Sequence, residues 1–465
     1  MDETSSAAAA RPAETYAEVE DALLSRWPES RLDPTLDRIE AFAELLGDPQ
    51  DNYPLIHLTG TNGKTSTARM IESLIVALGL RVGRFTSPHL ESMTERISLD
   101  GEPISEEAFV TAFNDVAPYT HLVDAEHDHP LSFFETIVAM AYAAFADAPV
   151  DAAVVEVGMG GTWDATNIAD AQVAVLTPIA VDHAQYLGET PGIIAVEKVG
   201  IIKPGATVVT ARQSDEVAAV IGERCTEVGA TLMRQDVDFA VSSRVPAVGG
   251  QMIGLQGLRG SYEEVFLPLY GAHQAQNAAL ALAAVEAFLG GDDALDAEIV
   301  LEAFASVTSP GRLEIIRRSP TIVLDAAHNP HGAAALVEAL EDSFTFSPLV
   351  GVIGVMADKD YEGLLAELEP VLAYVVCTQN SSARATSAAD LAEVARGIFG
   401  QDRVFEDASL ANAIDRAAGL AESGGDSGEA IGSGAVLVTG SVVTVGEARA
   451  MLKSRRDADG RRLED

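Results

Sequence analysis

From residue 54 onward the chain alternates short apolar runs with longer stretches in which apolar residues recur every three or four positions. Brief apolar runs bounded by turn residues read as buried strands, and the 3.6-residue recurrence reads as helices with one core-facing stripe. Strands are predicted at residues 55–59, 81–85, 152–157, 173–179 and 207–210, and helices at 66–78, 106–116, 133–146 and 273–289, after an amphipathic stretch at 16–27. This alternation predicts a parallel sheet with helices on both faces. Residues 237–269 break it, reading as short strands with glycine turns, a β-rich appendage. A second series follows Ser309-Pro310-Gly311-Arg312, with strands at 321–324, 349–355, 372–378 and 435–438 and helices at 332–341, 361–368, 387–399 and 409–421. A chain of 465 residues exceeds one compact core,. The predicted division is a disordered N-terminus at 1–14, a first α/β domain at 15–308, a smaller doubly wound domain at 309–452 with a Gly/Ser-rich loop at 424–434, and a charged tail at 453–465.

Composition narrows the function. A net charge of −41 repels polyanions and argues against nucleic-acid or anionic-membrane partners,. No apolar run is long enough to span a bilayer and no basic-then-apolar leader is present, so a cytoplasmic protein is expected,. Cys225 and Cys377 are too few and too isolated for a disulfide framework or a thiolate metal site,. The chain has five lysines, Lys64, Lys198, Lys203, Lys359 and Lys453, against twenty-five arginines. Lysines retained against that background are candidates for work arginine cannot do, such as a point-charge phosphate contact or an amine of adjustable pKa. Lys453, in the charged tail, fits a leftover of composition.

The strongest chemical signal is Gly60-Thr61-Asn62-Gly63-Lys64-Thr65, between the apolar run 55–59 and a helix. Gly60 and Gly63 let backbone N–H groups curl around an oxyanion, the helix N-terminus faces the same point, and Lys64 adds a mobile charge. Thr65 offers a hydroxyl to Mg²⁺. The match is the short G-x-x-G-K-[ST] form, since Leu58 stands where a full Walker A has glycine, and a match this short can also be an ordinary strand–turn–helix corner.

Other strand ends gather ligands beside it. Glu156 closes one strand ahead of Val157-Gly158-Met159-Gly160-Gly161, Asp182-His183 follows another, and Ser87 in Ser87-Pro-His-Leu90 follows a third. In open α/β sheets ligands bind at such carboxyl ends, and a carboxylate there beside a phosphate loop suits Mg²⁺. Lys198, after Glu197, would repel a metal as an ammonium, but not if CO₂ carboxylates its amine. Asp124 to His129 has His-x-His spacing without a flanking strand and reads as a solvated loop.

These residues, with Phe134-Glu135, Asp164-Ala-Thr-Asn167, Pro310-Gly-Arg312 and Asp325-Ala-Ala-His-Asn-Pro-His331, resemble the ordered motif set of the folylpolyglutamate synthase and dihydrofolate synthase family, in the Mur ligase superfamily, from about residue 16 to 452. Thr65 stands where some relatives have glycine, and Trp163 where some have leucine. The resemblance implies a phosphate-loop, Mur-ligase-like ATP-binding domain followed by a smaller Rossmann-like domain. It implies transfer of the ATP γ-phosphoryl group to a folate-type carboxylate, or that of dihydropteroate, and displacement of phosphate by the amine of L-glutamate. By the same resemblance Gly60 to Thr65 contact ATP, with Asn277, Arg312 and Asp325 completing the nucleotide site. Ser87, Glu156, His183 and a carboxylated Lys198 hold two Mg²⁺ ions, with Lys64, His183 and Lys198 the catalytic set. Asp33, Pro34, Thr35, Ser132, Phe133, Phe134, Trp163, Asp164 and Ala165 lie near the pterin-containing substrate. The expected protein is a monomer.

Two other readings stand beside this one. A Mur-type peptidoglycan amino-acid ligase usually carries a UDP-binding domain ahead of its phosphate loop, and only 59 residues precede Gly60 here. A non-catalytic nucleotide-binding switch would be expected to read guanine through Asn-Lys-x-Asp, and the nearest segment, Asp358-Lys359-Asp360, lacks the Asn.

Overall fold

The computed structural model describes residues 11–28, 33–423 and 434–458. The strands of the first domain are, in chain order, Leu55–Thr59 (β1), Val82–Phe85 (β2), Ile97–Leu99 (β3), Glu102–Pro103 (β4), Ala152–Glu156 (β5), Val173–Leu176 (β6), Thr207–Thr210 (β7) and Thr231–Arg234 (β8). They form one sheet in the order β4-β3-β2-β5-β1-β6-β7-β8, parallel from β2 to β8, with β3 and β4 antiparallel at the edge. β1 and β5 are buried at every position, which is why they read as unbroken apolar runs,. On one face Ile56 and Leu58 pack with helices Lys64–Ala77 and Ala272–Leu289; on the other, Leu55, Ala153 and Val155 pack with helix Phe133–Asp147.

Ala240–Ala247 (β9), Gly250–Gln256 (β10) and Ser261–Leu267 (β11) make a separate antiparallel sheet, in the segment expected to be β-rich. The second domain carries Glu314–Arg318 (β12), Thr321–Leu324 (β13), Leu349–Ile353 (β14), Tyr374–Cys377 (β15), Val404–Glu406 (β16) and Ala435–Thr439 (β17). Their order is β12-β13-β17-β14-β15-β16, parallel except for β12. Cys225 and Cys377 are free and buried. Among the described residues no helix is long and apolar enough to cross a membrane.

Several boundaries differ from expectation. β6 stops at Leu176 because Pro178 has no N–H for the ladder, so residues 177–181 run on as a loop,. The helix expected at 106–116 continues to Glu126 through Pro118, since its second half still buries Thr120 and Val123. The supposed solvated loop is therefore partly helix. Asp124 takes a bidentate contact from Arg26 at 2.9 and 2.7 Å, and the His129 ring packs, tilted, against Trp27 with centroids 4.4 Å apart. The charged tail likewise begins inside helix Val442–Ala458, which buries Val445, Ala448 and Leu452. There Lys453 pairs with Glu91 at 3.0 Å and Arg455 with Asp415 at 2.8 Å. Of the N-terminal segment, Ala13 is held by Asn114 through both its N–H and its carbonyl, 2.9 Å each; residues 1–10 and 459–465, and all of the Gly/Ser-rich loop but Gly434, lie outside the described residues. Helices Asp37–Leu46 and Asp215–Val228 were not anticipated.

Candidate active site

β1 delivers the chain to the carboxyl edge of the sheet and turns sharply at Gly60. With φ at +145°, and with Thr177 Oγ1 only 1.9 Å from where a Cβ would stand, this position admits no side chain,. Thr61 then fastens the loop to the segment after β6. Its N–H donates to Pro178 O at 2.9 Å, and its hydroxyl donates to Ala180 O at 2.9 Å while accepting from Ala180 N at 3.0 Å. Gly63, left-handed at φ +91°, starts helix Lys64–Ala77 with no side-chain cap on its first N–H groups. Uncapped amides with a positive dipole end face the cleft, the arrangement that receives phosphate.

The cavity over this loop is walled from both domains. The first contributes Gly60 to Ser66, Arg69, Ser87, Glu156, Asp182, His183 and Lys198; the second contributes Arg312, Ala326, His328 and Val442, with Ser309 and Pro310 on the segment that joins them. Lys64 Nζ folds back to Gly60 O at 3.2 Å, and Lys198 Nζ, buried at the end of helix Pro191–Lys198, donates to the same carbonyl at 2.9 Å. Burial, and then the neighbouring Lys64 charge, bring the Lys198 amine down to about 7. Thr65 Oγ1 lies 3.0 Å from both oxygens of Glu156, whose carboxyl is pushed up by burial although Lys64 and Arg312 oppose the shift. Glu156 has no ion-pair partner among the described residues.

At the mouth of this cavity Asp182 is a first-domain carboxylate served almost entirely by the second domain. Lys359 Nζ is 2.6 Å from Oδ1, Asn329 Nδ2 donates to Oδ2 at 3.0 Å, and His328 Nε2 lies 3.4 Å from Oδ2. Burial opposes its ionisation, but His328 and Lys359 hold the carboxyl well below the usual range. His183 is left-handed at φ 51°, an uncommon conformation for a residue with a side chain,. Burial and the Lys359 charge lower its imidazole to about 4. Asn62 of the phosphate loop also reaches across, exchanging amide hydrogen bonds with Asn329 at 3.2 Å.

A second cavity of about 380 Å³ adjoins the first and shares with it Ser87, Pro88, Gly158, Met159, His183, His328 and Val442. Its remaining wall includes Trp27, Phe134, Trp163, Arg38, Lys359 and Arg384. Ser132 caps helix Phe133–Asp147 in a reciprocal box with Glu135, which in turn pairs with Arg38 at 3.1 Å. Asp164 turns inward, accepting from Met159 N at 2.9 Å and Thr166 N at 3.0 Å, and so shapes the glycine turn after β5.

Of the residues singled out from sequence, Gly60, Thr61, Asn62, Gly63, Lys64, Thr65, Ser87, Glu156, His183, Lys198 and Arg312 line the first cavity. Asp33, Thr35, Ser132, Phe134, Trp163, Asp164 and Ala165 line the second. Four stand elsewhere. Asn277 packs behind Gly63 and donates to Gln274 Oε1 at 3.2 Å. Asp325 accepts from Leu313 N and Ala327 N, 2.9 Å each, and so shapes the loop that presents Arg312. Phe133 sits under the Arg96 guanidinium at 4.9 Å, and Pro34 is absent from the lining. Asp182, His328 and Asn329 stood in the sequence motifs without a role of their own, and Lys359 and Arg69 were given none; for Lys359 the scarcity of lysine was the available signal.

No three His, Cys, Asp or Glu side chains converge on a metal position among the described residues. The donor set is mixed instead, a buried carboxylate with only a hydroxyl partner, a serine and an imidazole beside an open helix N-terminus. Hard oxygen donors at a phosphate site fit Mg²⁺, which keeps waters and substrate oxygens in its shell.

A strand–loop–helix phosphate site facing, across a cleft, the arginine-bearing loop of a second parallel-sheet domain defines an ATP-dependent ligase of the Mur type. Residues 58–285 match the Mur ligase middle domain, and residues 311–442 the Mur ligase glutamate ligase domain. The dihydrofolate synthase/folylpolyglutamate synthase of Mycobacterium tuberculosis is 49% identical over 453 residues, 93% of each chain. The structure of Mycobacterium tuberculosis folylpolyglutamate synthase complexed with ADP is similar at TM-score 0.90 and 50% identity, covering 94% of this chain and 98% of that one. E. coli FolC in complex with DHPP and ADP is similar at TM-score 0.82 and 31% identity, covering 96% and 99%. The chain belongs to the dihydrofolate synthase/folylpolyglutamate synthase family. The peptidoglycan-ligase and nucleotide-switch readings give way to it.

Proposed function

We propose that this chain activates the carboxylate of a folate-type acid with ATP and joins it to the amine of L-glutamate, accepting dihydropteroate as well as reduced folates. The observation that carries this reading is the continuity of the two cavities. One is a polar phosphate site, the other a largely apolar chamber of a size that takes a small molecule, and they meet at Ser87, Met159, His183 and His328,. A carboxylate at that junction faces the nucleotide's terminal phosphate. Phosphoryl transfer makes an acyl phosphate; the glutamate nitrogen then adds to the carbonyl carbon and phosphate departs.

In this reading the phosphate-loop amides and Lys64 hold the triphosphate, Arg312 approaches from the second domain, and Asp325 and Asn277 support the loops on either side. Phe134, Trp163 and Ala165, with Asp33, Thr35 and Ser132, receive the pterin-bearing acid, and Asp164 shapes that wall. Mg²⁺, when bound, neutralises charge on the transferring phosphoryl group. Ser87, Glu156, His183 and Lys198 would hold it as two ions. Lys198 enters as a carbamate: it is buried beside Lys64, and an amine near 7 has the neutral fraction that combines with CO₂. The enzyme is proposed to act as a monomer.

Purified protein with ATP, Mg²⁺, L-glutamate and either dihydropteroate or tetrahydrofolate should release ADP only when acid and amino acid are both present. Mass spectrometry should find each acceptor extended by one glutamate. ADP release independent of the acid would overturn the ligase reading, and extension of tetrahydrofolate alone would remove the dihydropteroate activity.

A further inference from the structure

Lys359 is the one lysine whose ammonium crosses from the second domain into the catalytic cleft. It sits on the loop between β14 and helix Tyr361–Leu368, anchored by its N–H to Met356 O at 3.2 Å and its carbonyl to Tyr361 N at 2.9 Å. Its side chain is only 11% exposed. Nζ makes two polar contacts, 2.6 Å to Asp182 Oδ1 and 3.1 Å to His183 Nε2.

The second contact carries the inference. An ammonium is a donor only, so Nε2 must be the acceptor in this pair, with the ring proton on Nδ1. A neutral imidazole nitrogen has one in-plane lone pair, the same lone pair that would ligate a metal. Lys359 and a divalent ion therefore cannot both be served by His183 Nε2. Asp182 is engaged beside it: Oδ1 accepts Lys359 and, at 2.7 Å, the backbone N–H of His183, and Oδ2 accepts Asn329. The left-handed backbone of His183 is over-determined by these contacts,.

We propose that Lys359 is a positioning residue of the ligase reaction, a tethered cation that holds the His183 ligand position and yields it to a divalent ion when the metal–nucleotide complex binds. Released from His183 but still held by its loop, the ammonium stays at the wall of the acid-binding chamber, where an anionic substrate replaces the lost partner. Metal occupancy and the second-domain loop are thereby coupled. This rests on the reading of His183 as a metal ligand.

Mn²⁺ binding, measured by electron paramagnetic resonance on the full-length protein with and without ADP, separates the two ideas. Lys359→Gln should bind Mn²⁺ about tenfold or more tightly without nucleotide, because the ammonium that occupies the His183 Nε2 lone pair is gone. Lys359→Arg, which keeps the charge, should stay near wild type, and the gain should vanish in Lys359→Gln/His183→Ala. Unchanged or weaker Mn²⁺ binding in Lys359→Gln, or a gain that survives removal of His183, would overturn the proposal. If His183→Ala alone leaves Mn²⁺ binding to the ADP complex unchanged, the ligand assignment has failed instead, and this inference falls with it.

Discussion

Gly446→Ala tests whether the second domain holds the Ser87 loop in place. Gly446 is buried in helix Val442–Ala458, pressed on the loop that carries Ser87 and is tied by Glu95 to the N–H groups of Leu90, Glu91 and Ser92. A Cβ at residue 446 would lie 1.9 Å from the carbonyl oxygen of Leu90. A carbon–oxygen contact needs roughly 3.3 Å, so helix and loop must part by more than an ångström. The shift cannot stay local, because Arg449 bridges Glu91 and Glu314, the latter at 2.8 Å, and Lys453 holds Glu91 at 3.0 Å.

Forcing a methyl group into a packed contact costs about 1–3 kcal/mol. Here the cost falls on an interface between domains, so it weakens their apposition across the cleft while leaving either core intact. At 1.36 kcal/mol per decade, kcat/KM for ATP should fall about 5- to 150-fold. Steady-state kinetics with saturating acid and glutamate, paired with thermal unfolding, measures both effects. Gly397→Ala and Gly419→Ala serve as controls. Both are exposed helix glycines where an added Cβ would meet nothing within 4 Å, so each should stabilise by about 0.5–1 kcal/mol without changing turnover. Wild-type kcat/KM in Gly446→Ala would refute the reasoning, and a lowered Tm with unchanged kinetics would place the contact in the domain core.

Lys198→Arg should be inactive although it keeps positive charge, since a guanidinium forms no such carbamate, and Lys198→Ala should regain turnover with an added short carboxylic acid; an active arginine variant would rule the carbamate out. Arg312→Ala should weaken ATP binding by calorimetry although the phosphate loop is intact, and unchanged affinity together with unchanged turnover would remove the second domain from the nucleotide site. Burial holds the His57 imidazole at about 3, against 6.5 in an open chain. The unfolded chain therefore takes up a proton that the fold refuses, so stability is intact above about pH 6.5 and is lost as pH falls toward 3, by up to about 1.4 kcal/mol per unit. His57→Gln should flatten that slope in urea titrations between pH 7 and 5, and identical slopes would mean that other groups set it.

What could be read from the sequence was whatever lies close together along the chain. β1, β7 and β13 begin and end where expected, because buried apolar runs flanked by turn residues leave little choice of register,. The phosphate loop is likewise contiguous, strand, turn and helix within a dozen residues. Boundaries failed where one residue overrode the pattern, Pro178 ending β6 early and Pro118 failing to end its helix. The C-terminal helix was hidden because dense charge after Lys453 masked the buried stripe of Val445, Ala448 and Leu452. Contacts across the cleft had no local signal. Lys359 and Asp182 are 177 residues apart, and only the folded chain shows that the Asp358-Lys359-Asp360 turn delivers its lysine to His183.

The scarce lysines divide by place. Lys64 and Lys198 line the phosphate cavity and Lys359 the adjoining one, whereas Lys203 supports the turn after β5 through Asn167 O at 2.9 Å and Lys453 pairs with Glu91. The three cleft lysines occupy places that need a compact ammonium: two converge on one carbonyl, and the third fits between a carboxylate and an imidazole,. This bears on how a chain of charge −41 gathers anionic nucleotide and acid at all. Exposed acids act through salt-screened water, while buried or half-buried cations act at short range in a medium that screens them far less. The surface can therefore repel polyanions at a distance while the cleft binds small ones on contact, and the sign of the whole molecule says little about the sign of its active site.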